Sequence, residues 1–244
     1  RVLLNGEMPD QPIALAEGWI TDGPAPELDL AGYILLPGII DLHGDGFERH
    51  LTPRPTAPFD KRRALQSATA ELAVNGVTTA WFAQSWSWEG GFRSGQSCAD
   101  LLAALHSERA ALLADVRVQI RLETHMIHEF PAVEQAVARH GIDYVVFNDH
   151  LPEAVMVADT MPERFAQWAA QSKRSAKDML AIVRAAQEQG SAVPGALGRI
   201  AAGFGAAKVR MGSHDDATPE ARAFYRGIGA DICEFPTTFD AARA

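Results

Sequence analysis

The segment Val116-Arg-Val-Gln-Ile-Arg-Leu-Glu-Thr-His125 alternates apolar and polar residues throughout. Because successive side chains of a β-strand point to opposite faces, this alternation predicts a strand with one apolar face. The other face would carry Arg117, Gln119, Arg121, Glu123 and His125. In a barrel strand the apolar face meets the surrounding helices and the polar face meets the lumen, so the segment predicts a strand that contributes to a site.

The rest of the chain repeats a rhythm of short apolar strands and amphipathic helices. Asp60 is a good N-cap for a helix that ends at Gly76, and Gly141 closes a helix over 131–139. Residues 161–205 are expected to be helical in two or three pieces. Strands are predicted at 39–43, 77–83, 116–125, 142–148, 208–211 and 230–235.

This alternation indicates a parallel sheet of the α/β class. We predict a (β/α)8-type, TIM-like barrel over 37–244 that lacks its last strand within this sequence. Residues 1–36 are short apolar pieces broken by Gly and Pro, which predict a small β element, part of a β-sandwich subdomain. Because the first residue is Arg1 rather than Met, we expect the N-terminus to lie upstream.

Composition excludes several classes of protein. The 244 residues carry a net charge of -9 and no basic run, which argues against a nucleic-acid partner. The two cysteines, Cys98 and Cys233, form neither a disulfide framework nor a metal-binding spacing. No apolar stretch approaches the roughly 20 residues of a membrane span. We therefore expect a cytoplasmic protein without a membrane partner.

Metal-capable side chains stand at the ends of successive predicted strands. His43 and Asp45 follow the first, Glu123 ends another, and His150 and His214 follow two more. Because a parallel barrel gathers its strand ends at one mouth, these groups would converge there. Imidazole and carboxylate donors without thiolate suit Zn, Mn, Fe or Ni.

Simpler interpretations stay open for several of these residues. Glu123 would face the same side as Arg121 and could form an ion pair with it that needs no metal. Asp215 could orient the His214 imidazole from behind, whereas helix capping is the preferred interpretation of Asp216. The tryptophans Trp86 and Trp88 are assigned to packing.

The segment Leu36-Pro-Gly-Ile-Ile-Asp-Leu-His43 resembles the metal-binding first strand of the amidohydrolase superfamily. Asp45 stands where most members have a second histidine. This His-x-Asp pattern, followed by Gly46-Phe-Glu-Arg-His50 and Pro53-Arg-Pro55, resembles the diphosphatase branch of phosphonate metabolism in the carbon-phosphorus lyase pathway. Further motifs occur in the same order: Val77-Thr-Thr79, Arg121-Leu-Glu123, Asn148-Asp-His150, Ser213-His-Asp-Asp216 and Glu234-Phe-Pro-Thr-Thr238.

The resemblance implies a metal-dependent hydrolase that cleaves α-D-ribose 1-methylphosphonate 5-triphosphate and releases pyrophosphate. It implies one or two divalent ions, expected to be Zn, with Mn, Fe or Ni as alternatives. The implied metal ligands are His43, Asp45, Glu123, His150 and His214, with Glu123 bridging the ions.

By the same resemblance, catalytic roles are expected for Asp45, Glu123 and His214. Substrate contacts are expected from Arg49, His50, Arg54 and Arg121. The guanidinium geometry makes Arg93 a further candidate for a phosphate contact, and an ordinary surface role stays open for it. The superfamily's catalytic aspartate follows an eighth strand, which would lie beyond Ala244. The expected partners are a small phosphorylated substrate and, in a homodimer, a second copy of the chain.

Two other functions fit the same residues. The same site could hydrolyse a C–N bond, as in the deacetylases and cyclic amidases of the superfamily, because fold alone does not separate substrates. The chain could also be an inactive metal-binding homologue.

Overall fold

The computed structural model describes residues 1–54 and 57–244, so Pro55 of the Pro53-Arg-Pro55 motif lies outside the described residues. The chain divides into two compact units, Arg1–Ile39 and Ile40–Ala244. The first unit contains an antiparallel pair, β1 (Ala14–Ala16) and β2 (Trp19–Thr21). An isolated parallel bridge joins Val2 to Leu35, both of which lie in the segment 1–36 that the sequence predicts as a small β element.

The main sheet has six strands in the order of the chain. Each neighbouring pair from the second strand to the sixth is parallel. The strands are β3 (Ile39–Gly44), β4 (Val77–Trp86), β5 (Asp115–Glu123), β6 (Tyr144–Asn148), β7 (Arg210–His214) and β8 (Ile232–Glu234).

The predicted (β/α)8-type barrel is wrong for the described residues. They form an open six-stranded sheet with β3 and β8 at its two edges, together with the separate antiparallel pair. The α/β class itself is correct. Strand–helix alternation is shared by open and closed parallel sheets, so the pattern alone does not determine closure.

Ten α-helices occur in the described residues, and local sequence explains where several of them begin and end. Asp60 accepts a hydrogen bond from the Arg63 amide and starts the second helix, as predicted. Gly141 ends the fourth helix in a left-handed conformation with φ of 63°. The helices are α1 (Glu48–Leu51), α2 (Lys61–Val74), α3 (Gly95–Glu108), α4 (Phe130–His140), α5 (Leu151–Thr160), α6 (Pro162–Gln171), α7 (Ala176–Glu188), α8 (Val193–Ala206), α9 (Pro219–Gly227) and α10 (Phe239–Arg243).

The connection between β6 and β7 is entirely helical and contains α5 to α8. The sequence predicts helices over 161–205, and the structure resolves this stretch into α6, α7 and α8. It adds α5 directly after β6, which the sequence analysis leaves unassigned. Within residues 1–54 and 57–244, no helix is long and apolar enough to cross a membrane.

The apolar core lies between the sheet and its helices. Ile120 and Leu122 of β5 are fully buried, as are Val145 and Phe147 of β6, and they belong to one cluster with Leu101 of α3. Burial of each such side chain stabilises the fold by about 1.5–3 kcal/mol. Because strand side chains alternate, the residues between these apolar positions are directed to the other face of the sheet, where the candidate site lies.

Candidate metal centre

The candidate site lies on one face of the parallel sheet, with His43, His214 and Glu234 at or near the carboxyl ends of their strands. Strand register places Gln119 of β5 opposite Tyr144 of β6, and His214 of β7 opposite Glu234 of β8. Partners in register point to the same face of a sheet, so these four side chains share one face. His43, near the end of β3, joins them through its hydrogen bond to Glu234.

Glu234 is the centre of a buried hydrogen-bond network. Its Oε2 accepts from His43 Nδ1 at 2.6 Å. Its Oε1 accepts from Gln119 Nε2 at 2.7 Å and from the Tyr144 hydroxyl at 2.6 Å. Burial alone would raise the pKa of this carboxyl, but the donors, led by His43 and Tyr144, hold it below its usual value. Glu234 is therefore a fixed carboxylate beside His43.

Gly212 of β7 leaves room for this network. A Cβ at position 212 would lie 3.0 Å from the Tyr144 hydroxyl and 3.3 Å from the Ile232 carbonyl oxygen. Any side chain here would press against the hydroxyl that donates to Glu234. The small residue thus allows Tyr144 to reach across β7 to β8.

Glu123 holds His150. Its Oε1 accepts from His150 Nδ1 at 2.5 Å, and its Oε2 accepts from the His150 amide at 3.2 Å and from Trp88 Nε1 at 3.3 Å. Burial would lower the His150 pKa, but the bond to Glu123 outweighs it and raises the pKa. The alternative Glu123–Arg121 ion pair is not formed among the described residues, where His150 takes the carboxylate instead.

His214 lies between these two pairs. Its ring centroid is 5.0 Å from that of His43 and 6.1 Å from that of His150. Burial, reinforced by Arg121 and His43, lowers its pKa to about 3, so the imidazole is neutral near pH 7. Its Nδ1 lies 3.0 Å from Asp215 Oδ2 but lacks the alignment of a hydrogen bond. This buried nitrogen has no hydrogen-bond partner in the described part of the chain.

Arg121 is a buried cation in the same site. It is 8% exposed, and its Nη2 lies 3.3 Å from His214 Nε2. Its Nε is buried without a hydrogen-bond partner, and no carboxylate pairs with it within residues 1–54 and 57–244. Burial lowers the pKa of this guanidinium, and the positive charge of Arg93 adds to that effect. The charges of Glu48, Glu123 and Glu234 partly offset that of Arg121 without pairing with it directly, so its guanidinium is able to bind an anion.

Two sets of side chains could hold a cation. His43, His214 and Glu234 have ligand atoms within 4.8 Å of one another, and so do His150, His214 and Asp215. Imidazole nitrogens and carboxylate oxygens are the donors that Zn and similar divalent ions take. The unpartnered His214 Nδ1 also fits a ligand role.

The turn after β7 brings the second set together. Asp215 adopts a left-handed conformation with φ of 58°, and its amide donates to the Glu234 carbonyl at 3.0 Å. Asp216 does not cap a helix, so the helix-capping role predicted for it is wrong. It accepts from Ser213 Oγ and pairs with Arg222, while Thr218 caps α9. The buried pair with Arg222 anchors the turn.

Several predicted site residues lie outside the two sets of side chains that could hold a cation. Asp45 is exposed and belongs to neither ligand set of the described residues. Arg49 and His50 both pair with Glu71 of α2, and Arg54 is exposed. Arg93 donates to Glu89 at 3.2 Å and to Glu48 at 3.0 Å, so its guanidinium already has two carboxylate partners.

The sequence predicts no role for Glu234, Tyr144 and Gln119, and it indicates only packing for Trp88. A signal existed for Glu234, because it stands near the end of the predicted strand 230–235, where the other strands place their metal-capable groups. Gln119 stands on the polar face of the predicted β5 strand, two residues before Arg121. No feature of the sequence indicated the hydrogen bond from Trp88 to Glu123, because Trp88 lies in the loop after β4 and Glu123 lies at the end of β5.

Comparison with known proteins gives one curated relative. No family model matches the chain. The chain is 31% identical over 227 residues to the alpha-D-ribose 1-methylphosphonate 5-triphosphate diphosphatase of Escherichia coli (strain K12). The match covers 89% of this chain and 58% of that protein, so the chain spans little more than half the length of the relative. The similarity relates the chain to that diphosphatase, in agreement with the branch that its motifs resemble.

Proposed function

We propose that this chain forms the metal-binding core of a hydrolase that cleaves a phosphoric anhydride in a sugar triphosphate. The proposed substrate is α-D-ribose 1-methylphosphonate 5-triphosphate, with release of pyrophosphate. The similarity to the diphosphatase supports the reaction class. The observation that carries the proposal is Arg121, a buried guanidinium beside His214 that forms no ion pair with any carboxylate in the described part of the chain.

Arg121 favours a phosphate over an amide as the reacting group. A buried positive charge next to a cation site is repelled by the cation, and an anion bound between them reduces that repulsion. A phosphoryl group supplies that anion, and the planar guanidinium fork matches its oxygens. A neutral amide would give the Arg121 guanidinium no directly paired anion, so the alternative of C–N bond hydrolysis fits this site less well.

The metal ligands would come from the two sets around His214. We propose Zn, with Mn, Fe or Ni as alternatives, held by His43, His214 and Glu234 or by His150, His214 and Asp215. When bound, such an ion makes water a nucleophile near neutral pH and offsets charge on the phosphoryl oxygens.

The protein's own residues orient the site. Glu234 and Glu123 each accept a hydrogen bond from the Nδ1 of a histidine, His43 and His150, which leaves the Nε2 of each ring free as a ligand. Arg121 binds and neutralises the phosphoryl oxygens. The Tyr144 and Gln119 donors keep Glu234 in place, so little reorganisation is needed when the substrate binds.

The test is a pyrophosphate-release assay on ribose 1-methylphosphonate 5-triphosphate with added divalent ions, comparing Arg121→Ala with the unaltered chain. Loss of charge-assisted hydrogen bonds should lower kcat/KM by about 10- to 100-fold. The matched control is Arg117→Ala, at the opposite end of β5, where the side chain is exposed and pairs with Asp115 and Asp143. This variant should keep its activity.

Three outcomes would count against the proposal. Equal losses in the two arginine variants would show that Arg121 has no special contact with the substrate. Hydrolysis of an amide without pyrophosphate release would favour the C–N hydrolase. Bound metal with no turnover of either substrate would favour the inactive metal-binding homologue.

A further inference from the structure

A polar cavity of about 400 Å³ opens beside the candidate metal centre. His150, which Glu123 holds, is part of its wall. The opposite wall is helix α6. Cavities of this volume are within the range that binds small molecules. Its position next to His150 makes it the space into which a substrate held at the centre would extend.

The α6 wall is a continuous polar stripe. Arg164, Gln167, Trp168 and Gln171 follow the spacing i, i+3, i+4 and i+7, which places them on one side of a helix. Phe165 and Ala169 are buried on another side, in the apolar core. The stripe therefore lies along the cavity, with Arg164, Gln167 and Gln171 exposed, while Phe165 and Ala169 pack into the core.

Glu89 fixes the cavity wall. It is 6% exposed and accepts from Arg93 Nη1 and from Trp168 Nε1, the latter at 2.6 Å. Its bond to Trp168 ties α6 to the loop after β4. Arg93 is held a second time by Glu48. The wall is thus preorganised, with the hydrogen-bonding capacity of Glu89 already used by its neighbours.

Two groups in the wall are free to bind a ligand. The side-chain amides of Gln167 and Gln171 make no hydrogen bond to any other residue that the structure describes. Each amide offers both donors and an acceptor, which is the pattern that hydroxyl groups match. The charges of Arg93 and Arg164 are balanced by Glu89 and Glu153, so the cavity has no excess positive charge for a triphosphate.

We infer that this cavity binds the hydroxyl-bearing sugar of the substrate, with Gln167 and Gln171 as specificity-determining residues. This inference rests on the proposed function, in which Arg121 holds the phosphoryl end. The parts of the substrate are separated accordingly: the triphosphate lies beside the Arg121 guanidinium, and the hydroxyl groups of the pentose lie against the amides and the Trp168 indole.

The test is calorimetric titration of the metal-loaded chain with two probes, ribose 5-phosphate and inorganic tripolyphosphate. The double variant Gln167→Ala/Gln171→Ala should weaken ribose 5-phosphate binding about tenfold, since two or more neutral hydrogen bonds are lost, and leave tripolyphosphate binding unchanged. Gln135→Ala, an exposed glutamine on α4, is the matched control. Circular dichroism and the melting temperature of each variant would establish that the fold is retained.

The outcomes separate the two proposals. Unchanged ribose 5-phosphate binding in the double variant, or equal weakening of both probes, would overturn the sugar site. Failure of the unaltered chain to bind ribose 5-phosphate would overturn it as well. Binding of ribose 5-phosphate without binding of tripolyphosphate would support the sugar cavity and contradict the proposed triphosphate hydrolase.

Discussion

At the scale of single residues, Glu234 is the carboxylate on which the candidate centre depends most. Replacing Glu234 with Gln removes the negative charge that accepts from His43, and the new amide would bring donors toward the donors of Tyr144 and Gln119. We expect divalent-metal affinity to fall about 10- to 100-fold, the usual effect of losing a partner of a metal-ligating histidine. Metal content after equilibrium dialysis against a competing chelator would measure it.

Glu220→Gln is the matched control, because Glu220 lies exposed in the first turn of α9. It makes the same chemical change away from the site. Metal retention equal to that of the control would exclude Glu234 from the centre and leave the set of His150, His214 and Asp215 as the candidate.

The sequence predicted many of the residues that the structure brings together, because strand ends in parallel sheets share one edge. Such strand ends are the positions of His43, Glu123, His150 and His214. The metal-binding roles of these residues stay predictions. Asp45 differs for a local reason. The strand β3 ends at Gly44 and the chain turns into α1, so the two-residue alternation that would align Asp45 with His43 no longer holds.

At the scale of secondary-structure elements, a buried ion pair attaches α9 to β7. Arg222 Nη1 donates to Asp216 Oδ2 at 3.1 Å and to Ser213 Oγ at 2.8 Å, and both members of the pair are nearly inaccessible to solvent. Replacing Arg222 with Met would leave the Asp216 charge buried alone. We expect the free energy of unfolding to fall by about 3–5 kcal/mol, measured by urea denaturation.

Arg226→Met is the control for this prediction, since Arg226 lies exposed one turn later on α9. It should change the unfolding free energy by less than about 0.5 kcal/mol. Similar losses of unfolding free energy in both variants would indicate that the effect comes from the substitution on helix α9 rather than from the Asp216–Arg222 pair. The double variant Arg222→Met/Asp216→Leu should recover part of the stability, because it removes the unpaired charge.

The elements themselves were largely predictable, and the reason is local chemistry. Asp60, Gly141 and Thr218 mark helix boundaries through side-chain and left-handed caps, which depend on a few neighbouring residues. The pairing of Asp216 with Arg222 was not predictable in this way. Both capping and ion pairing suit an aspartate near a helix start, and the choice depends on burial by β7 and β8.

At the scale of the whole molecule, closure of the sheet was the part that the sequence did not determine. The long helical connection from α5 to α8 occupies the chain between β6 and β7 without adding a strand. The edge strand β3 keeps Ile40 and Leu42 at 63% and 50% exposure. An apolar pattern identifies these residues as strand residues, but it carries no information on whether another strand pairs with that edge.

Global stability should depend on pH through His214. Burial lowers the His214 pKa from 6.5 to about 3, so between these values the unfolded chain binds a proton that the folded chain does not. The free energy of unfolding therefore falls as the pH falls, by at most about 1.4 kcal/mol per pH unit from this group. His150 affects the pH dependence of stability in the opposite direction. Its raised pKa stabilises the folded chain below pH 6.5, and this stabilisation is lost as the pH rises through the His150 pKa of the folded state.

Urea denaturation of the chelator-treated chain between about pH 6.5 and 5, above the main carboxylate titrations, would isolate the His214 effect. His214→Gln should show a smaller loss of stability over this range than the unaltered chain. The control His106→Gln, an exposed histidine on α3, should follow the unaltered chain. Parallel pH profiles for all three would mean that His214 accepts a proton in the folded state as readily as in the unfolded one, and that burial does not keep this imidazole neutral.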